Sequence, residues 1–277
     1  MIMKVIVPMA GLGTRFQKAS DENPEYRKPK PFINIKGWPM VSWALTSLPF
    51  LRHHQVKKEL HHSAEPDDLI FIILKEHDDE HGIEKRLKEM YSEAIHVIVL
   101  PKVTRGAAET AYSAKSYIDS DEDVIITDSD HFFDGKYLAD TILNKGSDTA
   151  GIIPVFKARN EGIPKWSYAL TKPGTNYVEK VGEKDRALME AGAYANIGAY
   201  YFSKGKYFLD LAEEIIREGK TFGEASKAEF YIAPLYQMLL ERGLKVQAAV
   251  TPEMWGLGTP SDVEYFLNNY KLDRLSY

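Results

Sequence analysis

The chain has 277 residues, 44% of them hydrophobic and 27% charged, which is enough apolar mass to bury one large core. A formal charge of −5 argues against a nucleic-acid partner, which selects a basic face, and the absence of cysteine excludes a disulfide framework, a thiolate nucleophile and a zinc–thiolate site. With no signal-peptide pattern and no long apolar run, the composition predicts a cytoplasmic protein without a membrane partner.

Lys4-Val5-Ile6-Val7-Pro8 is a short β-branched run and predicts a buried strand. Ala10-Gly11-Leu12-Gly13-Thr14-Arg15 follows. Its two glycines let the backbone turn sharply and lie against a ligand without Cβ interference. Successive amides from such a turn form an anion-binding concavity, and Arg15 adds a guanidinium suited to bidentate phosphate contact. Lys30 then stands between Pro29 and Pro31, a cation held by two stiff neighbours. A Walker loop is excluded because no Gly-Lys-Ser/Thr occurs, and a dinucleotide fingerprint fits poorly because Phe16 stands where its third glycine belongs.

Strand-like and helix-like segments alternate from there. Residues 40–48 have helical spacing, 69–74 are a continuous apolar run read as a parallel strand covered on both faces, and 79–91 form a charged amphipathic helix. Residues 95–100 read as a strand, 106–118 as a helix and 124–126 as the next strand. This order predicts an α/β fold, a Rossmann-like doubly wound and mostly parallel mixed sheet with right-handed crossovers. Ligands bind such sheets beyond the carboxyl ends of the strands, where the Gly11, Gly106 and Asp128 segments all fall. Beyond residue 150 the pattern changes to a hairpin (166–171 and 176–182), a long apolar strand (193–202), helices over 204–218 and 228–242, a strand over 244–250 and a final helix over 260–269. No repeat or low-complexity linker interrupts it, so residues 1–277 read as one domain in two halves, 1–150 and 151–277, the second of them substrate-binding.

Thr127-Asp128-Ser129-Asp130-His131 ends a buried strand with two carboxylates on one side. Left alone they repel; a hard cation such as Mg2+ relieves this while bridging phosphate oxygens, although Asp and Ser also suit a helix N-cap. At Thr104-Arg105-Gly106-Ala107-Ala108-Glu109-Thr110, small residues would let a planar base approach the backbone. His77 and His81 share a helix face but lack a third ligand of clear spacing, and His53, His54, His61 and His62 flank a charged segment that reads as solvated.

Together, G-x-G-T-R and the following P-K-P resemble the signature of the nucleoside-triphosphate:sugar-1-phosphate nucleotidyltransferases, the sugar-nucleotide pyrophosphorylases, and the resemblance runs through almost the whole chain. It implies a GT-A-like nucleotidyltransferase fold and Mg2+-dependent attack of a sugar-1-phosphate on a nucleoside triphosphate, releasing pyrophosphate. Ala10, Gly11, Leu12, Gly13, Thr14 and Arg15 would cradle the triphosphate, and Gly106, Ala107 and Glu109 would read the base. Arg15, Lys30 and Asp128 would carry the chemistry, with Asp128 and then Asp130 as metal ligands. Asp130, Glu183, Lys184, Asn196 and Glu229 would face the acceptor. One departure is plain: many relatives carry a second metal-binding Asp where this chain has Gly256, leaving Glu229, Asp130 or water as substitutes. A cytidylyltransferase for a non-sugar phosphate such as phosphocholine, a glycosyltransferase sharing the D-x-D, and a non-catalytic nucleotide-binding module are the alternatives. Exposed apolar strands in the second half could pair subunits into a homo-oligomer.

Overall fold

Alternating side chains along the first strands set two layers of helices on one sheet. The computed structural model describes residues 3–48, 64–159, 162–223 and 228–271; His53, His54, His61 and His62 lie outside them. In chain order the first half comprises β1 (Met3–Pro8), α1 (Thr14–Gln17), β2 (Asn34–Ile35), β3 (Trp38–Pro39), α2 (Met40–Thr46), β4 (Leu69–Leu74), α3 (Lys75–His81), α4 (Ile83–Met90), β5 (His96–Leu100), α5 (Ala107–Tyr112), α6 (Lys115–Ile118) and β6 (Asp123–Thr127). β6, β1, β4 and β5 pair in parallel. Ile6, Ile70, Ile72, Val124 and Ile126 face one way, into a core completed by Ala108, Ala111, Phe208 and Leu235. Val5, Val7, Phe71, Ile73 and Ile125 face the other, against Val41, Leu45, Leu87 and Ile142. Strands buried on both faces need the near-continuous apolar sequence seen at 69–74.

The chain continues through β7 (His131–Phe133), α7 (Lys136–Leu143), β8 (Thr149–Phe156), β9 (Ser167–Thr171), β10 (Val178–Glu183), α8 (Arg186–Glu190), β11 (Tyr194–Asn196), β12 (Ala199–Phe202), α9 (Gly205–Glu218), α10 (Ala233–Glu241), β13 (Lys245–Thr251), β14 (Met254–Gly256) and α11 (Pro260–Asn269). The sheet runs β10-β9-β11-β8-β12-β6-β1-β4-β5, with β13 parallel to β8. It is therefore the doubly wound mixed α/β sheet expected, parallel through the first half and antiparallel where β12 joins β6 and where β9, β10 and β11 extend it.

Several boundaries differ from expectation. The helix read over 79–91 is two, α3 and α4, divided at Gly82 in the left-handed region (φ 61°). That over 106–118 is likewise two short helices, and the one read from 228 begins at Ala233. The strand read over 193–202 breaks into β11 and β12 at Gly198 (φ 100°), because the Asn196 side chain accepts the Gly198 amide at 2.9 Å in place of the ladder. Both pieces still lie along β8.

A third, aromatic core fastens the front of the sheet. Trp43 of α2 is 1% exposed and meets Phe132, Phe266 and Tyr270 edge-to-face at 5.3, 5.0 and 5.8 Å, while its indole N–H donates to the Ile35 carbonyl at 2.8 Å. Phe16, Tyr26 and Ile33 belong to the same cluster, so α1, the residues on either side of P-K-P and α11 share one anchor. Among the described residues no helix is long and apolar enough to cross a membrane. Trp43→Ala is expected to lower unfolding free energy by about 3–5 kcal/mol in urea titrations, the usual cost of emptying a buried aromatic site.

Candidate active site

Four segments that are distant in sequence line one cleft of about 710 Å3: the turn after β1, Lys30-Pro31, the turn into α5, and the end of β6, with Ala228-Glu229 closing one side. The parallel order of β6, β1, β4 and β5 brings three of them together, since the turns after β1, β5 and β6 leave the same end of the sheet.

In the first turn the amides of Gly11, Leu12 and Gly13 donate to no protein acceptor among the described residues. Gly13 is left-handed (φ 66°), and a Cβ there would come within 3.3 Å of the Lys30 Cβ, so the turn rests directly on the P-K-P segment. The Lys30 ammonium bonds Asp130 Oδ2 at 2.9 Å. Arg15 is exposed on α1 and does not line the cleft, but its charge acts on Asp130.

Asp128 and Asp130 stand at the cleft end of β6, where the backbone is built around their oxygens. A Cβ on Gly198 would lie 2.6 Å from Asp128 Oδ2, and one on Gly258 would lie 2.8 Å from Asp130 Oδ2. The Asp128 amide donates to the Gly198 carbonyl, and the Leu257 amide to the Asp130 carbonyl, both at 2.8 Å. Burial, reinforced by the charge of Asp130, pushes the Asp128 carboxyl up from its usual range, with Lys30 opposing. Burial acts in the same sense on Asp130, but the charge and hydrogen bond of Lys30, helped by Arg15, outweigh it and hold that carboxyl low. Neighbouring His131 is 2% exposed; burial lowers its imidazole to about 4 against the pull of Asp130, so the ring is neutral at neutral pH. Two carboxylates of opposite protonation tendency, both open to the cleft, form a hard-oxygen donor set that suits Mg2+. Among the described residues no group of three His, Cys, Asp or Glu side chains is disposed to hold a metal, the histidines 77 and 81 included. Gly256 faces the Asp262 carboxylate, which the Thr259 hydroxyl already engages at 2.6 Å.

The turn into α5 is sealed by the chain opposite it. Gly106 (φ 153°) approaches Phe230 so closely that a Cβ would meet the Phe230 nitrogen at 2.5 Å, and the Ala108 amide bonds the Phe230 carbonyl at 2.8 Å. Gly106 and Ala107 line the cleft, as do Thr104 and Thr110, whose hydroxyls bond one another at 2.5 Å. The Glu109 carboxylate is engaged instead by Arg105, through the Arg105 amide at 2.7 Å and its guanidinium at 2.5 Å, and is held below its usual value by that pairing. It does not line the cleft.

The acceptor candidates divide. Asp130 and Glu229 reach the cleft, whereas Glu183, Lys184 and Asn196 do not line it. Glu183 accepts from the Ser167 hydroxyl. Lys184, itself in the left-handed region (φ 49°), bonds the Tyr231 hydroxyl at 3.0 Å and lies 3.4 Å from Glu183. Asn196 is 6% exposed and its side-chain nitrogen has no partner. The contacts of Gly198 and Gly258 with the two carboxylates have no signature in the sequence, because they depend on β12 and the turn after β14 arriving from far along the chain.

No family model matches the chain, and no curated protein matches it in sequence. Solved structures do match in fold. A nucleoside-diphosphate-sugar pyrophosphorylase from Vibrio cholerae RC9 is 21% identical with a TM-score of 0.69, covering 96% of this chain and 100% of its own. The inositol-1-phosphate CTP transferase from T. maritima is 14% identical (TM-score 0.64; 94% and 90% covered), and a UDP-glucose pyrophosphorylase from Acinetobacter is 15% identical (TM-score 0.65; 100% and 95% covered).

Two outcomes test this geometry. Gly198→Ala is expected to lower unfolding free energy by about 1–3 kcal/mol in urea titrations, since the new methyl would displace Asp128 Oδ2 and the left-handed backbone there is strained for alanine. In the unfolded chain Asp128 titrates near about 3.9. The native state keeps that proton to higher pH, so it binds more protons than the unfolded state across the interval, and stability falls as pH rises. Asp128→Asn is thus expected to raise Tm at about pH 8 and to lose the advantage near about pH 4 in thermal melts.

Proposed function

We propose that the chain transfers a nucleotidyl group from a nucleoside triphosphate to a sugar-1-phosphate, releasing pyrophosphate and forming a nucleotide sugar. The observation that carries this reading is the meeting in one cleft of the free amides after β1, the Lys30–Asp130 pair and the Asp128 carboxylate. Likeness in fold to a nucleoside-diphosphate-sugar pyrophosphorylase and a UDP-glucose pyrophosphorylase supports it.

In this reading the turn from Gly11 to Thr14 binds the triphosphate through backbone amides, and Gly106 and Ala107 give the base a flat approach. An oxygen of the acceptor phosphate attacks the α-phosphorus while the bond from that phosphorus to the bridging oxygen breaks, so pyrophosphate leaves carrying that oxygen. The nucleophile is already an anion and needs no general base. The protein contributes orientation and charge neutralisation. Arg15 meets the departing pyrophosphate from the rim, and Lys30 moves charge onto the α-phosphate or the incoming one. Asp128 and Asp130 would hold Mg2+, which supplies charge neutralisation to the phosphates when bound. Glu229 faces the acceptor directly, with Glu183, Lys184 and Asn196 behind it.

A second reading keeps the reaction and changes the acceptor. The inositol-1-phosphate CTP transferase of T. maritima has the same fold and a non-sugar acceptor in its name, which favours a cytidylyltransferase for a non-sugar phosphate as the runner-up.

Pyrophosphate release across CTP, UTP, GTP, ATP and dTTP against a panel of sugar-1-phosphates, inositol phosphate and phosphocholine, with Mg2+ or EDTA, separates the two. The expected result is release with one triphosphate and one hexose-1-phosphate, abolished by EDTA; binding of a triphosphate without release on any acceptor would sink the catalytic reading. Arg15→Ala and Lys30→Ala are each expected to lower turnover by more than about 100-fold, about 2.7 kcal/mol of transition-state stabilisation.

A further inference from the structure

The Lys30–Asp130 pair has a consequence beyond charge neutralisation, one that rests on the metal-dependent reading above. Lys30 is a side chain of the nucleotide cleft, pressed against Gly13 of the triphosphate turn, yet its ammonium is committed to Asp130 Oδ2 at 2.9 Å. Asp130 Oδ2 is also the oxygen against which Gly258 closes, so it is walled on one side by backbone and capped on the other by the lysine. Asp128 forms no ion pair among the described residues, although the Lys30 charge still acts on it. The Gly256 position supplies no side chain, and the nearby Asp262 is occupied by Thr259. A hard divalent cation takes six or more oxygens, and Mg2+ held by only one or two carboxylates completes its set with waters and substrate phosphates.

We infer that Lys30 is an internal counter-ion that keeps Asp130 from a divalent cation until a polyphosphate draws the ammonium away, so that the metal is bound together with the triphosphate and not by the protein alone. The geometry allows the transfer without refolding. Lys30 and the free amides of Gly11 to Gly13 line the same cleft, and a triphosphate seated on those amides offers the ammonium several anionic oxygens for the one it leaves. Releasing Asp130 while the phosphate oxygens arrive completes a donor set that neither partner has by itself. Lys30 in this role is a positioning residue for the metal as well as a cation for the phosphate.

The test reads metal binding and not turnover. Mn2+ is titrated into the full chain and followed by water-proton relaxation enhancement, with and without inorganic tripolyphosphate as the probe anion. Wild type is expected to hold Mn2+ weakly alone and to give a strong enhancement once tripolyphosphate is present. Lys30→Gln is expected to bind Mn2+ alone more tightly than wild type, by about fivefold, the worth of a partly exposed ion pair. Adding Asp130→Asn or Asp128→Asn to Lys30→Gln should remove that gain, and Lys30→Arg, which keeps the charge, should behave as wild type. Equal Mn2+ affinity in wild type and Lys30→Gln, with matching thermal melts, would overturn the inference. So would tight Mn2+ binding by wild type without any anion. Mg2+-dependent pyrophosphate release accompanied by either of those results would retain the function and reject the counter-ion role. Absence of Mn2+ binding in every variant, even with tripolyphosphate, would reject both.

Discussion

Two carboxylates held together at the end of a buried strand are the constraint on which the rest of this molecule depends. Asp128 and Asp130 are drawn partly out of water and toward each other, and neither change is favourable for the charged form. The protein resolves the conflict asymmetrically. Lys30 keeps Asp130 ionised, while Asp128 retains its proton to unusually high pH. A structure optimised only for stability would have no reason to bring these groups together; the strain makes sense where a polyanion and a hard cation arrive in the same place.

Much of the fold exists to hold that place still. Gly198 breaks a strand so that its backbone lies against one carboxylate, and Gly258 does the same for the other. Gly106 lets the segment around Phe230 cross the base-side turn at contact distance, with Arg105 stacked 4.7 Å over the Phe230 ring. Consequently the turn into α5 and the segment carrying Glu229 are packed and hydrogen-bonded to one another. On the opposite flank the aromatic core around Trp43 binds α1 to α11, so the residues that follow the glycine turn are tied to the end of the described chain. Trp255 joins this cluster through Phe266 and Tyr270, which links it to the β14 strand paired with His131–Phe133.

The layered sheet is an architecture shared with structures that are only 14–21% identical to this chain in sequence. Around its cleft the Arg105–Glu109 pair at the turn into α5, and the Ser167–Glu183 and Lys184–Tyr231 bonds away from it, hold charged side chains in place.

Local chemistry made part of this legible from residues alone. The apolar runs at 4–8, 69–74 and 124–126 read as strands, that at 69–74 as one covered on both faces, and the glycine turn, the P-K-P cation and the paired aspartates each state their chemistry within a few residues. The elements β7, α7, β8 and β14 were not read from the sequence, and the 193–202 run concealed its break because a hydrogen bond from the Gly198 amide to the Asn196 side chain, not a change in hydrophobicity, causes it. Spacing could not reveal that Glu109 turns to Arg105, that Glu183 and Lys184 stay behind the cleft wall, or that Lys30 reaches Asp130. Those outcomes depend on which strand ends lie side by side. The sequence by itself determined the strands, the turns and the kinds of charge they carry, because these follow from the preferences of adjacent residues. Tertiary structure alone decided which charges meet, because a hydrogen bond across a hundred residues forms only after the parallel sheet has brought its strand ends into register.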